Sequence, residues 1–183
     1  RKGADEGRDA EDPSRTIHVY CGDLMAKLIT LSKGLVTIID DDDYKTCMKQ
    51  CWYALWNGRT FYACNRGVGL LHRYLLMPQS TQEVDHINHN PLDNRRANLR
   101  VATHAQNQMN LVENSRSTSG YKGVSFMKSC GKWRAYIVLN QKQIHLGLHA
   151  TPKAASRAYD NAARRLFGIY ACPNAPGTST VEV

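Results

Sequence analysis

The sequence predicts an α+β chain of three small units in series. Short β-branched and aromatic runs, LVTIID and TFYAC, surround a helical pattern near Tyr44 to Trp52. A strand, loop, strand, helix order follows between Glu83 and Asn110. Three strand-like runs and then one long helix occupy Gly120 to Phe167.

Residues 1–15 mix Gly, Pro and charges of both signs with almost nothing apolar, which predicts a disordered leader. Residues 16–69 form the small N-terminal α+β unit. The four acids Asp40 to Asp43 sit between a strand pattern and a helical one, so they are read as a turn, an N-cap and a complement to the helix dipole. Leu70 to Met77 is apolar at helical spacing, stops at Pro78 and carries His72. It opens a middle unit, 70–112.

In that unit Glu83 to Ile87 alternates as a strand, so Asp85 and His86 point to opposite faces. The polar loop HNPLDNRRAN leads to a second strand-like run, Leu99 to Thr103. Thr103 and Gln106 are spaced as a capping box, so a helix begins there and brings Asn107 back beside Asp85. A carboxylate and an amide oxygen with several waters make the shell that magnesium prefers.

Residues 113–119 are a polar linker and 175–183 an irregular tail. Between them, 120–174 reads as the runs YKGVSF, KWRAYIVL and KQIHLGLH and then a helix from Pro152 to Phe167, capped by Thr151 and ended by Gly168. Gly168-Ile169-Tyr170 lacks the Tyr-Ile-Gly partner with which it would form a two-part signature, and the string is read as chance.

Composition narrows the partners. The net charge is +8. From Arg116 to Gly168 there are ten Lys or Arg and one acid, Asp160, so this segment alone carries +9. Such a segment suits a polyanion. No apolar run of about eighteen residues exists, which argues against a membrane partner. The six cysteines are scattered. Cys47 and Cys51 share a helical spacing with Cys64 further on, but without a second close pair they are read as reduced thiols of a cytoplasmic protein rather than a zinc site.

The words DHIN, NPLDNR and NLR, with Asp85, His86, Asn98 and Asn107 at their spacing, resemble the motif of the HNH or ββα-metal nucleases, above all their phage and intron homing branch. The resemblance implies a prokaryotic or phage-encoded DNA endonuclease with a ββα-metal core. In it Asp85 and Asn107 hold one divalent ion per centre, Mg2+ or Mn2+. His86 is the general base, and Asn98 pins the loop. His72 matches a histidine that supports the site or contacts DNA, with a satisfied core histidine as the plain alternative. Arg95, Arg96 and Arg100 are candidates for phosphate positioning or for site support. His89 stands where the family often has Gly.

Residues 120–174 resemble the DNA-binding domain of plant ethylene-response (Apetala-type) transcription factors, through YKGVSF, KWRAYI, HLGLHATPKAASRAYDNAARRLFG and Asn174. This implies a C-terminal three-stranded antiparallel sheet packed on one helix, entering the major groove of double-stranded DNA. Carried over by position, Lys122, Lys128, Lys132, Trp133, Arg134 and Lys142 are the contact candidates, and Trp133 equally fits a core position. The expected protein is a homing-type endonuclease, a monomer or a dimer assembled on DNA. The alternatives are a non-catalytic DNA-binding regulator and a structure-specific or RNA-directed nuclease.

Overall fold

The computed structural model describes residues 18–21, 24–111 and 118–175. The expected leader, most of the expected linker and most of the tail lie outside the described residues. The chain divides into two compact units, one of residues 1–71 with 91–96 and one of 72–90 with 97–183.

The first unit opens with an antiparallel meander, β1 (His18–Cys21), β2 (Leu24–Thr30) and β3 (Val36–Asp40). α1 (Asp41–Cys47) follows directly, starting earlier than the apolar spacing suggests because its first turn is acidic and suits the helix dipole. Asp40 occupies the N-cap position, but its carboxylate caps no helix N–H; it accepts the backbone N–H of Arg96 at 2.7 Å instead. A second antiparallel sheet comprises β4 (Tyr53–Trp56), β5 (Phe61–Asn65) and β6 (Gly69–Leu70).

Residues 91–96 join this unit along β3. Ile38 bridges Asp93 in parallel, with Ile38 N–H donating to Leu92 O and Asn94 N–H to Ile38 O, both at 2.8 Å. Thr37 Oγ1 donates to Leu92 O and accepts from Asn94 Nδ2, again at 2.8 Å each. Thr37 and Asn94 are buried, and this exchange is what makes their burial tolerable, while the buried Asp93 carboxylate is met by Arg95. Among the described residues no three His, Cys, Asp or Glu side chains gather to hold an ion. Cys47 and Cys64 are buried while Cys51 is exposed.

α2 (Leu71–Leu76) carries the chain into the second unit, whose first part is a two-stranded antiparallel sheet, β7 (Glu83–His86) and β8 (Leu99–Ala102), followed by α3 (His104–Met109). The capping box at Thr103 is formed on both sides: Gln106 N–H donates to Thr103 Oγ1 and Thr103 N–H to Gln106 Oε1.

The second part is the antiparallel sheet β9 (Val124–Met127), β10 (Lys132–Leu139), β11 (Lys142–His149), with β10 central, packed on α4 (Pro152–Phe167). The small residues Ala155, Ala162 and Ala163 let α4 lie close on Val124, Ala135 and Ile137. Thr151 Oγ1 caps the helix at Ala154 N–H, 3.1 Å away, and a 3-10 turn, Gly168–Tyr170, follows.

β9 starts at Val124, later than the apolar run begins, because Gly123 has φ +69 and leaves the extended region. A Cβ there would lie 2.2 Å from the Tyr159 ring and 2.4 Å from Tyr136 O. Gly123→Ala is therefore expected to destabilise the second unit by about 2–4 kcal/mol through strain and overpacking together. Urea unfolding at equal m-value checks this.

Candidate active site

The site grows from the alternation of β7. Glu83 and Asp85 share one face, Val84 and His86 the other. α3 lies over the first face. Successive residues of one strand face stand about 6.6 Å apart and one helical turn rises about 5.4 Å, so residues three apart on α3 meet residues two apart on β7. Asn107 Nδ2 accordingly donates to Glu83 Oε2, and Asn110 Nδ2 to Asp85 Oδ1 at 2.9 Å and to His86 O at 3.1 Å.

Asp85 is buried, and its other oxygen is held as firmly. Arg100 faces it across the β7–β8 register, so Nε and Nη2 both donate to Asp85 Oδ2, at 2.8 and 2.6 Å. The pair is nearly dry, with side chains 12% and 7% exposed. Removing one partner of such a pair costs about 3–5 kcal/mol. Asn110, which lies outside the motif residues, therefore touches Asp85, whereas Asn107 sits one turn earlier on Glu83. The signal that singles out Asn110 is its place one turn beyond Asn107 on the same helix face. Asn107 first and His104 second, through hydrogen bonds, hold the Glu83 carboxyl below its usual range.

His86, on the opposite face, is also buried and meets His72 of α2 edge to face, ring centroids 5.0 Å apart. Burial, and after it the neighbouring His86 and Arg73, push His72 down from 6.5 to about 3. It is a neutral imidazole at physiological pH. Asn98 closes the loop between the strands: its Oδ1 accepts Asn88 N–H and its backbone oxygen accepts Ile87 N–H, both at 2.9 Å. His89 has φ +63, the left-handed region where glycine is at no cost, and its Nε2 lies 3.5 Å from Cys172 Sγ.

The remaining arginines are engaged by carboxylates. Arg95 forks onto Asp93 at 2.8 and 2.7 Å, and Arg96 onto Asp43 at 2.8 Å through both nitrogens. Of the C-terminal residues, Lys128, Lys132 and Lys142 are exposed. Arg134 lies with its Cζ 5.2 Å over the Tyr136 ring, and its Nε has no hydrogen-bond partner among the described residues. Trp133 is half-buried against the Val124, Ala135 and Ala155 cluster. Lys122 turns inward, Nζ donating to Met109 O at 3.1 Å and Leu111 O at 2.5 Å.

Residues 77–109, which hold the two-stranded sheet, Asp85, His86, Asn98 and all of the helix above them, match the HNH endonuclease family model. An uncharacterized HNH endonuclease of Acanthamoeba polyphaga mimivirus is 30% identical over 156 residues, covering 80% of this chain and 79% of that protein. The chain belongs to the HNH endonuclease family.

Two further similarities are confined to one region each. APETALA2-like protein 2 of Oryza sativa subsp. indica is 46% identical over 54 residues, 30% of this chain and 12% of that protein. Protein 3.8 of Escherichia phage T7 is 38% identical over 60 residues, 33% of this chain and 50% of that protein. No solved structure matches. No helix among the described residues is long and apolar enough to cross a membrane. The second unit of this HNH endonuclease thus has a nuclease part and a sheet-and-helix part, and the chain has partial similarity to AP2-domain proteins.

The buried His72 ties the stability of the site to pH. The unfolded chain takes up its proton as pH falls below about 6.5 and the folded chain does so only near 3. The stability it contributes is therefore complete above 6.5 and lost as pH falls from there. Denaturant midpoints should decline between pH 6.5 and 4, with a slope shallower by up to about one proton in His72→Gln. Equal slopes for the two proteins would show that His72 does not titrate this way.

Proposed function

We propose that this HNH endonuclease is a homing-type enzyme that hydrolyses phosphodiester bonds of double-stranded DNA, with one Mg2+ or Mn2+ ion and His86 as general base. The observation that carries the reading is the placement of buried Asp85 and His86 on opposite faces of β7. This arrangement supports a role for Asp85 toward a cation and for His86 toward a water.

The donor chemistry fits a hard ion. Asp85 Oδ1, which accepts one bond from Asn110, keeps a second lone pair, and the amides of Asn107 and Asn110 donate through nitrogen, which leaves their oxygens for a cation. A divalent ion held there supplies charge for the scissile phosphate and the leaving 3′ oxygen. His86 accepts the proton of the attacking water, and a neutral imidazole is the usual base for this at cellular pH. Asn98 keeps the loop closed beside it. The products expected are 5′-phosphate and 3′-hydroxyl ends, with one strand cut per centre unless two chains assemble on a site.

The C-terminal sheet positions the cut. Arg134 lines an outer hollow of about 330 Å³ with Met127, Tyr136, Gln143, His145 and Leu148. Lys132 and Lys142 are exposed at the starts of β10 and β11 and Lys128 in the turn after β9, and among the described residues no carboxylate pairs with them. Their charge is available to phosphates.

His86→Ala is expected to abolish metal-dependent cleavage of plasmid DNA while leaving DNA affinity near the wild-type value. Cleavage by this variant at the wild-type rate would remove His86 as the base. Replacing Lys128, Lys132 and Lys142 together by Ala should flatten the log–log salt dependence of binding by about 0.9 for each lysine that neutralises a phosphate. An unchanged slope, measured by titration from low to high salt, would place the DNA elsewhere.

A further inference from the structure

The nuclease part of the second unit is too small to hold its own geometry. β7 and β8 have four residues each and α3 six. An isolated two-stranded ribbon or a helix of this length is marginal in water. Yet Asp85 is held from both sides, and C-terminal residues bind one holder, Arg100, directly and the chain on either side of the other, Asn110.

On one side, Arg100 Nη1 donates to Ile169 O and the Arg100 Cζ lies 4.5 Å over the Tyr170 ring. The Tyr170 hydroxyl donates to Val101 O at 3.2 Å, which ties the turn after α4 to the backbone of β8 as well. The Gly168-Ile169-Tyr170 string thus has a place in the fold. A guanidinium held this way has all three of its nitrogens committed, two to Asp85 and one to Ile169 O, with the Tyr170 ring beside it.

On the other side, Asn110 caps the C-terminus of α3, where backbone carbonyls lack intrahelical partners. Lys122 supplies one: its ammonium bonds the carbonyls of Met109 and Leu111, immediately before and after Asn110. Its charge also suits the negative end of the helix. The Lys122 backbone is fixed in turn, N–H donating to Asn174 Oδ1 at 2.6 Å and O accepting Asn174 Nδ2 at 3.1 Å. Asn174 is anchored on the buried Asp160 of α4.

We propose that the C-terminal domain is a working part of the nuclease centre, with Tyr170 and Lys122 as positioning residues that hold Arg100 and Asn110 and, through them, Asp85. The proposal rests on the reading of Asp85 as a carboxylate of the reacting site. It assigns the domain a second role beside DNA contact, and it assigns Lys122 to the site rather than to the major groove.

The test uses the full chain with Tyr170→Leu, Tyr170→Phe and Lys122→Met. Three quantities are read: the Nε–H signal of Arg100 by NMR in metal-free protein, the single-turnover cleavage rate at saturating DNA with Mg2+, and the DNA dissociation constant without metal. Tyr170→Leu should shift or lose the Arg100 signal and slow cleavage at saturation about tenfold, with the dissociation constant within about twofold of wild type. Tyr170→Phe, which keeps the ring and loses only the bond to Val101 O, should retain most of the rate.

Lys122→Met should slow cleavage at saturation and speed exchange of the Asn110 amide. A loss that appears entirely in DNA affinity, at an unchanged saturating rate, would overturn the proposal, as would an Arg100 signal that stays in place in Tyr170→Leu. If Tyr170→Leu does not fold, the saturating rate and Asn110 exchange of Lys122→Met decide between positioning and DNA contact. A wild-type chain that does not cut DNA would refute the nuclease reading, while the Arg100 and Asn110 signals would still decide the positioning.

Discussion

A buried carboxylate held on both oxygens is the constraint around which the second unit is arranged. Asp85 accepts two hydrogen bonds from Arg100 and one from Asn110. Desolvating a carboxylate costs several kcal/mol unless its lone pairs are met, so each of these donors must arrive in the right place. Register brings Arg100, because it stands opposite Asp85 on the neighbouring strand. Helix pitch brings Asn110, because it lies one turn beyond the residue over Glu83. Neither is free to shift without stranding the charge.

From that pairing the rest of the site follows. Alternation sends His86 to the far face, where His72 meets it and is itself kept neutral by burial. The backbone oxygen of His86 accepts from Asn110, so His86 and the Asp85 carboxylate share one anchor. Asn98 closes the loop at the point where β8 begins, and the chain between is long enough for residues 91–96 to belong to the first unit instead. There Asp93, Asn94 and Arg96 are spent on β3 and α1. The nuclease motif is thus divided between chemistry and the architecture of its neighbour.

Much of this was legible because it is local. The Thr103 capping box, the Thr151 cap with Pro152, the α4 stripe of small residues and the β10 and β11 spans depend on spacing along the chain, and the structure has them as expected. The opposite orientation of Asp85 and His86 needed only the strand period. Other readings depended on partners distant in sequence. The run Asp40 to Asp43 reads as supplying an N-cap, yet the Asp40 carboxylate, at the N-cap position, receives Arg96, fifty-six positions away. Arg95 and Arg96, read as phosphate candidates, carry carboxylates on their forks, and no local pattern announces which acid an arginine will meet.

The sequence by itself determined the α+β class, the order of elements, the HNH family and the +9 charge of the C-terminal region, since periodicity, caps, motif words and composition are properties of neighbours in the chain. Only the tertiary structure decided that Asn110 rather than Asn107 touches Asp85, that Arg100 serves that carboxylate, that Tyr170 packs on Arg100, and that Lys122 binds the carbonyls on either side of Asn110. The physical reason is that a buried charge selects its donors by distance and angle, and those are set by how helix, strand and turn pack.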